Sequence, residues 1–318
     1  MFKEAKKLVD ESNRIYIVGH KGPDGDSIGS AFAMCLALRK LGRKVDVLIS
    51  KYSDSFSFLP DIRSAKDKVE EDSFDLLICV DSSDNKRLDI LEEDYNKAKK
   101  ILMLDHHKIV KLYGDVNCVD EDLPAASEIV YNFLNYLNVE IDKDIGSYLY
   151  MGLMTDTGSF NYSATKASTL RAAAHLVDIG VDFSYICDML NHTMKEAKLK
   201  LIAKTIENME IYFDGKFRYS YVPYETIHSL GLDEEDAEGM TNYLRLPEGT
   251  QVAVYIRGKS DGTYKVSMRS GGEVDVSEIA IHFNGGGHPR AAGYNIDVNK
   301  LEEGKKELID VIGGKIKC

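Results

Sequence analysis

Side chains that can bind metal ions follow directly after three apolar segments of strand-like length. They are His20, Asp24 and Asp26 after residues 15–18, Asp81 after residues 76–80, and Asp105, His106 and His107 after residues 101–104. In open α/β sheets, sites form beyond the carboxyl ends of the strands, so we expect these groups to converge in one cleft. Asp156, which follows the apolar stretch 148–154, is a candidate for the same cleft.

The chemistry of such a cleft follows from its charge. Carboxylates gathered from four places in the chain into one partly buried cleft repel and raise each other's pKa values, and two divalent cations would cancel four of their charges. Carboxylate and imidazole ligands without thiolate fit Mn²⁺, with Mg²⁺, Fe²⁺ or Co²⁺ as alternatives, and disfavour a closed structural zinc site. Two such ions activate a water and stabilise a phosphoryl group under in-line attack. The pattern therefore predicts metal-assisted phosphoester hydrolysis.

The elements that position these groups alternate along the N-terminal half, which predicts a mostly parallel α/β sheet flanked by helices. The predicted strands are 14–18, 45–49, 76–80 and 101–104, and the predicted helices are 27–41, 127–137, 146–154 and 166–179. Beyond these, the pattern indicates a helix at 194–209, a hairpin at 211–222 and strands at 251–257 and 264–268. We expect a catalytic metal-binding domain at 1–190, a connecting helix at 191–210 and a smaller α/β substrate-binding domain at 211–318, with a cleft between the domains.

Composition and charge exclude several classes of protein. The 318 residues carry a net charge of −12 and show no basic stripe, which argues against a partner such as long duplex nucleic acid. The longest apolar run, residues 31–38, is far shorter than the roughly 20 residues of a membrane span, and no secretory signal is visible, so we expect a cytoplasmic protein without a membrane partner. The five scattered cysteines disfavour a disulfide framework. Dinucleotide-binding and P-loop motifs are missing as well.

The ordered motifs resemble those of the DHH/DHHA1 phosphoesterases, in particular the nanoRNase and pAp phosphatase type. Four of them lie in the N-terminal half: Gly19–Ser30, Val80–Ser83, the name-giving Asp105-His106-His107, and Met154–Phe160. In the C-terminal region, Ser267–Ser270 and Phe283–Gly293 are similar to the substrate-binding motifs of the DHHA1 domain. The resemblance covers essentially the whole chain.

Position by position, this resemblance implies a ligand set for two metal ions. It implies His20, Asp24 and Asp81 on one ion and Asp26, Asp81, His106 and Asp156 on the other, with Asp81 bridging. It further implies that His107 contacts the scissile phosphate or protonates the leaving oxygen. Asp105 would orient the neighbouring histidines.

The C-terminal motifs carry groups that suit a phosphate. The run Gly285-Gly286-Gly287 lets backbone N–H groups approach an anion closely. Arg269 and His288 are candidates to meet the substrate's remaining charge, and an arginine can contact phosphate in bidentate fashion. The same motifs add Ser270 and Arg290 as substrate-binding residues. Asn284 stands where relatives often carry another glycine.

The resemblance implies a Mn²⁺-dependent phosphoesterase that cleaves short oligoribonucleotides to mononucleotides and converts adenosine 3′,5′-bisphosphate (pAp) to AMP, with a homodimer as one assembly. An alternative is a phosphodiesterase for cyclic or linear dinucleotides such as c-di-AMP and pApA, because such relatives share the four metal motifs. A minor alternative from another class is a non-catalytic nucleotide sensor. Loss of a metal ligand or of His107 would favour the sensor, but all of these residues are present.

Overall fold

The computed structural model describes residues 1–107, 112–234 and 236–316, and of residues 54 and 192 the backbone alone. The chain divides into two compact units, Met1–Thr193 and Met194–Cys318, and each is described by itself. Within the described ranges, none of the helices combines the length and the apolar character that crossing a membrane requires.

The first unit contains a five-stranded parallel sheet. Its strands are β1 (Arg14–Val18), β2 (Lys44–Leu48), β3 (Phe74–Val80), β4 (Ala98–Asp105) and β5 (Val116–Val119). They are arranged in the order β2-β1-β3-β4-β5. The first four strands were predicted from their apolar runs and are confirmed. The fifth was missed because it is short and only one of its residues, Cys118, is buried.

The register of this sheet brings three strand ends together. Val18 pairs with Cys79, and Val80 pairs with Leu104, so the carboxyl ends of β1, β3 and β4 lie side by side. Both faces of the sheet are buried, as is typical of parallel sheets. Ile15 packs with the large core cluster on one face, and Tyr16 packs with a second cluster on the other face.

Helices surround the sheet of the first unit. They are α1 (Phe2–Glu11), α2 (Gly25–Lys40), α3 (Glu92–Tyr95), α4 (Ala126–Tyr136), α5 (Lys143–Asp156), α6 (Ala167–Asp178) and α7 (Phe183–Cys187), followed by a π-helical turn at Asp188–His192. The helices predicted at 27–41, 127–137, 146–154 and 166–179 are confirmed as α2, α4, α5 and α6. Helices α2 and α5 pack closely, since a Cβ added at Gly29 would lie 2.5 Å from the Tyr148 carbonyl oxygen.

The second unit contains a six-stranded mixed sheet. Its strands are β6 (Glu210–Tyr212), β7 (Phe217–Val222), β8 (Val252–Gly258), β9 (Tyr264–Ser270), β10 (Gly286–His288) and β11 (Ala291–Ile296). They are arranged in the order β10-β11-β9-β8-β7-β6, in which β7 and β8 are parallel and the other neighbours antiparallel. The predicted hairpin is confirmed as β6–β7. Strands β10 and β11 were not predicted, because the segment was interpreted as a glycine-rich phosphate-binding motif. In β11 the alternation of buried Ala292, Tyr294 and Ile296 was a signal that this interpretation missed.

The helices of the second unit are α8 (Glu196–Glu207), α9 (Tyr224–Ser229), α10 (Met240–Arg245), α11 (Val276–His282) and α12 (Leu301–Lys315). The helix predicted at 194–209 is α8, and its buried Leu201 packs with Val222 and Tyr255 of the sheet. The resulting α/β architecture of both units confirms the predicted fold class. Only the first unit places acidic and imidazole groups together in clusters that could hold a metal ion, among the residues that the structure describes.

Candidate metal centre

The predicted metal ligands lie at the carboxyl edge of the parallel sheet, on helix α2 packed against it and on helix α5 packed against α2. Asp81 directly follows β3, and its N–H donates to the Leu104 carbonyl oxygen at 3.0 Å. His106 directly follows β4, and Asp156 is the last residue of α5. The strand ends and helix termini therefore converge as the alternating sequence pattern requires.

The first group of ligand atoms comes from His20, Asp24 and Asp81. His20 Nε2 lies 3.8 Å from Asp24 Oδ2 and 3.5 Å from Asp81 Oδ2. His20 Nδ1 lies 3.0 Å from the Lys21 carbonyl oxygen. Because a carbonyl oxygen only accepts, Nδ1 carries the proton in the neutral ring. Nε2 then presents its lone pair toward the carboxylates, which is the orientation that a metal ligand needs.

The second group comes from Asp26, His106 and Asp156. His106 Nε2 lies 3.2 Å from Asp156 Oδ2, 3.9 Å from Asp26 Oδ2 and 3.4 Å from Asp81 Oδ1. His106 Nδ1 lies 3.3 Å from the Leu123 carbonyl oxygen, so this ring is oriented in the same way as His20. Asp81 thus turns one oxygen toward each group.

The electrostatics of these groups fit a pair of divalent cations. Asp26 and Asp81 are 0% and 2% exposed, and in the described part of the chain Asp81 Oδ1 and His106 Nε2 make no hydrogen bond of good geometry although they lie only 3.4 Å apart. Burial, together with the charges of Asp81 and Asp156, raises the pKa of Asp26 well above its usual value. Hard cations bind such crowded carboxylates, and their positive charge would offset the cost of burying these oxygens without hydrogen-bond donors.

Without metal, protons on the imidazoles provide part of this compensation. The carboxylates of Asp24 and Asp81 raise the pKa of His20 to about 10. Burial alone would lower the pKa of His106, but Asp156 and Asp81 outweigh it and raise the pKa to about 11. Because an imidazole must be neutral to bind a metal ion, cations would replace these protons.

The amino-terminal turn of α4 fixes Asp26. The backbone N–H groups of Ala126 and Ser127 donate to Asp26 Oδ2 and Oδ1 at 2.6 and 2.9 Å. A Cβ added at Gly152 would overlap Ser127 Oγ and lie 2.7 Å from Asp26 Oδ1, so Ser127 and the carboxylate together occupy space that only glycine leaves open. Neither contact was predicted, although a glycine inside the apolar segment 146–154 was a signal of close packing.

His107 lies beside this centre and is held by Asp105. His107 Nδ1 lies 2.8 Å from Asp105 Oδ1, and that same oxygen accepts the His106 and His107 backbone N–H groups at 2.8 and 3.3 Å. Asp105 is fully buried, whereas the His107 side chain is 44% exposed. The hydrogen bond to Asp105 raises the pKa of His107. The ring is therefore oriented, favours its protonated form and remains accessible.

In the second unit, the predicted substrate-binding residues lie on the neighbouring strands β9 and β10 and in the segments directly before and after β10. Arg269 on β9 pairs with Ala291 on β11, and Gly287 and His288 on β10 pair with the same strand. The Ser270 N–H donates to the Arg290 carbonyl oxygen at 3.0 Å, and the Arg290 guanidinium lies 3.4 Å from Ser270 Oγ.

The glycine run of this group forms part of an edge strand. Gly286, Gly287 and His288 are exposed on β10, while Gly285 precedes the strand. A Cβ added at Gly287 would lie 2.5 Å from the Ala291 carbonyl oxygen, so the close approach of the two strands requires glycine there. An edge strand leaves alternate N–H groups unpaired, which suits contact with an anion.

Comparisons with known proteins agree with this geometry. Residues 14–153 match the model of the DHH family, N-terminal domain, and residues 214–314 match the DHHA1 domain. The bifunctional oligoribonuclease and PAP phosphatase NrnA of Thermus thermophilus is 29% identical over 94% of this chain and 89% of its own length.

Solved structures show the same fold. An exopolyphosphatase-related protein from Bacteroides fragilis superposes with a TM-score of 0.88 at 23% identity, covering 97% of this chain and 94% of that one. RecJ from Thermus thermophilus, solved in complex with Mn²⁺, has a TM-score of 0.59 at 15% identity, covering 99% of this chain and 55% of that one. With both domain models matched in order along most of its length, the chain belongs to the DHH/DHHA1 family.

Proposed function

We propose that this chain is a two-metal phosphodiesterase that cleaves short oligoribonucleotides to mononucleotides and removes the 3′-phosphate of pAp. The observation that carries the proposal is the position of Asp81, whose two oxygens face imidazoles of two separate ligand groups. The Thermus thermophilus relative, whose name contains both activities, matches the chain over nearly its whole length. These substrates also support a cytoplasmic site of action. The homodimer remains a prediction.

The metal-binding residues support Mn²⁺ as the cation. We assign His20, Asp24 and Asp81 to one ion and Asp26, Asp81, His106 and Asp156 to the other, because their ligand atoms already lie together in these groups. A mixed set of carboxylates and imidazoles suits Mn²⁺ better than cations such as Mg²⁺, which prefer oxygen ligands alone. The lack of thiolate disfavours zinc. Bound there, two ions supply charge stabilisation for the phosphoryl oxygens and a water of lowered pKa.

His107 supplies the proton in this proposal. Asp105 orients the ring through Nδ1, which leaves Nε2 to reach a substrate oxygen. The hydrogen bond to Asp105 raises the pKa of His107, which favours the protonated ring that a proton donor to the leaving oxygen requires. A protonated ring can also contact a phosphoryl oxygen, so both roles predicted for His107 use the same atom.

The second unit supplies the phosphate contacts. Arg269 and Ser270 on β9 lie beside Arg290 in the turn before β11, next to Gly286, Gly287 and His288 on the exposed edge. We assign these residues and Gly285 to binding a terminal phosphate of the substrate. A local cluster of cationic and N–H groups is needed, since the chain as a whole carries a net charge of −12.

A side-by-side assay with Mn²⁺ tests this function. The substrates are pAp, pApA, a five-nucleotide RNA and c-di-AMP, and the Asp81→Asn variant serves as the inactive control. We expect turnover of pAp, pApA and the short RNA, with c-di-AMP spared. Turnover of c-di-AMP and pApA alone would support the dinucleotide phosphodiesterase instead. Binding of pAp without any turnover would support the sensor.

A further inference from the structure

We propose that Tyr162 is a stacking platform for a nucleobase of the substrate, next to the metal centre. The inference rests on the proposed function, since it assigns a base-binding residue to that same centre. Tyr162 is 61% exposed, although it follows the metal-ligand candidate Asp156 by only six residues. Large exposed aromatic rings beside a phosphoester site are the side chains on which unpaired bases stack.

A left-handed turn carries this tyrosine away from the end of α5. Gly158, Ser159 and Phe160 have φ angles of 56°, 56° and 64° in succession. For residues other than glycine this conformation is unfavourable by roughly 1–2 kcal/mol each, and it persists only where the surroundings enforce it. Here Phe160 packs against the core cluster of the first unit, with 5.9 Å between its ring centroid and that of Tyr150.

Polar contacts hold the same turn. The Asn161 side chain donates to the carbonyl oxygens of Gly158 and Ser159 at 2.9 and 3.1 Å. The Asn191 side chain donates to Ser159 Oγ at 3.1 Å, which ties the turn to the π-helical segment. The strained backbone is thus fixed from two sides and cannot easily relax.

The turn places the Tyr162 ring against the backbone of Gly158. A Cβ added at Gly158 would lie 2.5 Å from Cε1 and 2.8 Å from Cε2 of the ring, so it would meet the ring near its hydroxyl end. The Tyr162 N–H donates to the Thr157 carbonyl oxygen at 3.0 Å. One side of the ring is therefore supported by backbone while most of the side chain is open to solvent. A supported, exposed ring is preorganised for stacking and loses little freedom on binding.

The chemistry of the ligand follows from the ring and from the charge of the chain. A tyrosine ring offers every base a π-face without requiring a particular hydrogen-bond pattern, so it suits a substrate of mixed sequence. In a chain with a net charge of −12, a neutral stacking contact adds affinity without further basic residues. The ligand class is an unpaired nucleobase of a mononucleotide or short oligonucleotide.

Steady-state kinetics of Tyr162→Leu with Mn²⁺ test the inference. The substrates are pAp, pApA and ribose 3,5-bisphosphate, which keeps the phosphates and lacks the base. Tyr162→Phe is the conservative variant, and Tyr136→Leu is the matched control because Tyr136 is also exposed, at 46%, but packs on Phe2. We expect Tyr162→Leu to raise KM for pAp and pApA by about fivefold to 100-fold, with kcat and Mn²⁺ affinity unchanged.

The control variants and the substrate without a base distinguish a stacking contact from a general loss of substrate binding. Tyr162→Phe and Tyr136→Leu should keep native KM values, and ribose 3,5-bisphosphate should show the same KM in all variants. Unchanged KM values for pAp and pApA in Tyr162→Leu, or an equal rise for the compound without a base, would overturn the stacking role while leaving the proposed function intact. If the native chain hydrolyses neither nucleotide, the proposed function falls, and the role of Tyr162 falls with it.

Discussion

Asp81 Oδ2 lies 3.5 Å from His20 Nε2, and Asp81 Oδ1 lies 3.4 Å from His106 Nε2. The two imidazoles follow β1 and β4, and Asp81 follows β3, which lies between those strands in the sheet. The middle strand therefore supplies the side chain that both ligand groups share. Asp81 has a φ of 52°, an unfavourable conformation for a non-glycine residue that directs its carboxylate between the two rings.

Replacing Gly152 by alanine should displace the Asp26 carboxylate. The new methyl group would overlap Ser127 Oγ, in a residue whose N–H donates to Asp26, and would lie 2.7 Å from Asp26 Oδ1 itself. We expect a loss of Mn²⁺ affinity at one of two sites, measured by isothermal titration calorimetry, and a fall in kcat on pAp of at least about tenfold. Gly146→Ala in the same helix is the control for a packing clash alone, because its methyl group would meet the buried Val181 at 2.8 Å and none of its nearest neighbours is a candidate metal ligand, so Mn²⁺ binding should stay unchanged. Unchanged Mn²⁺ binding in Gly152→Ala would contradict this positioning of Asp26.

Removing the His107 ring should slow the chemical step. We expect His107→Ala to lower kcat by roughly 10²- to 10⁴-fold while both Mn²⁺ ions stay bound, since the ring donates a proton and the metal ligands remain. His228→Ala, at an exposed histidine of the second unit, should have native kinetics. Loss of one or both ions from His107→Ala, measured by calorimetry, would place this residue among the metal ligands instead.

Arg269→Ala should weaken binding of phosphorylated ends. Loss of a guanidinium that contacts phosphate is expected to raise KM for pAp and pApA by about tenfold or more, with a smaller effect on kcat. Lys265→Ala is the matched control, because Lys265 is a cation on the same strand four residues away. An equal rise in KM for both variants would mean that the general charge of the strand matters rather than a contact made by Arg269.

Asp75 should make the stability of the first unit depend on pH. Its carboxylate accepts from the Arg14 N–H, the Lys99 ammonium and the Asn13 N–H, which lowers its pKa to about 2. Because the folded-state pKa is depressed, this stabilisation is present above the unfolded pKa of about 3.9 and disappears as the pH falls toward 2. We expect Asp75→Asn to lower the free energy of unfolding by about 1–2 kcal/mol at pH 7.

Denaturant melts at a series of pH values should show this difference shrinking between about pH 4 and about pH 2. Asp72→Asn is the control, since Asp72 is an exposed aspartate three residues earlier. A constant difference over the whole pH range would show that the carboxylate charge does not contribute.

The sequence predicted the parallel core and the ligand-bearing strand ends, because both depend on local patterns. The apolar runs 76–80 and 101–104 are unambiguous, and polar residues follow each of them directly at the end of the strand. Strand β10 could not be predicted in this way. Its three residues are exposed, and the pairing of Gly287 with Ala292 depends on close backbone approach rather than on apolar side chains.

Contacts between distant segments were also beyond the sequence. The hydrogen bond from the Ala126 N–H to Asp26 joins residues 100 positions apart, and no spacing rule connects them. The support of the Tyr162 ring by Gly158 depends on three successive left-handed residues, two of which are types that rarely adopt this conformation. Such relationships follow from tertiary packing that overrides local preference.

The number of Mn²⁺ ions bound per chain tests the central claim most directly. Calorimetric titration of the metal-free protein should give two ions for the native chain and for Asp84→Asn, which alters an exposed aspartate in the same loop. Asp81→Asn should bind at most one ion with comparable affinity and lose turnover of pAp, because both groups lose a shared ligand. Binding of a single ion to the native chain, or of two ions with native affinity to Asp81→Asn, would contradict a shared dinuclear centre.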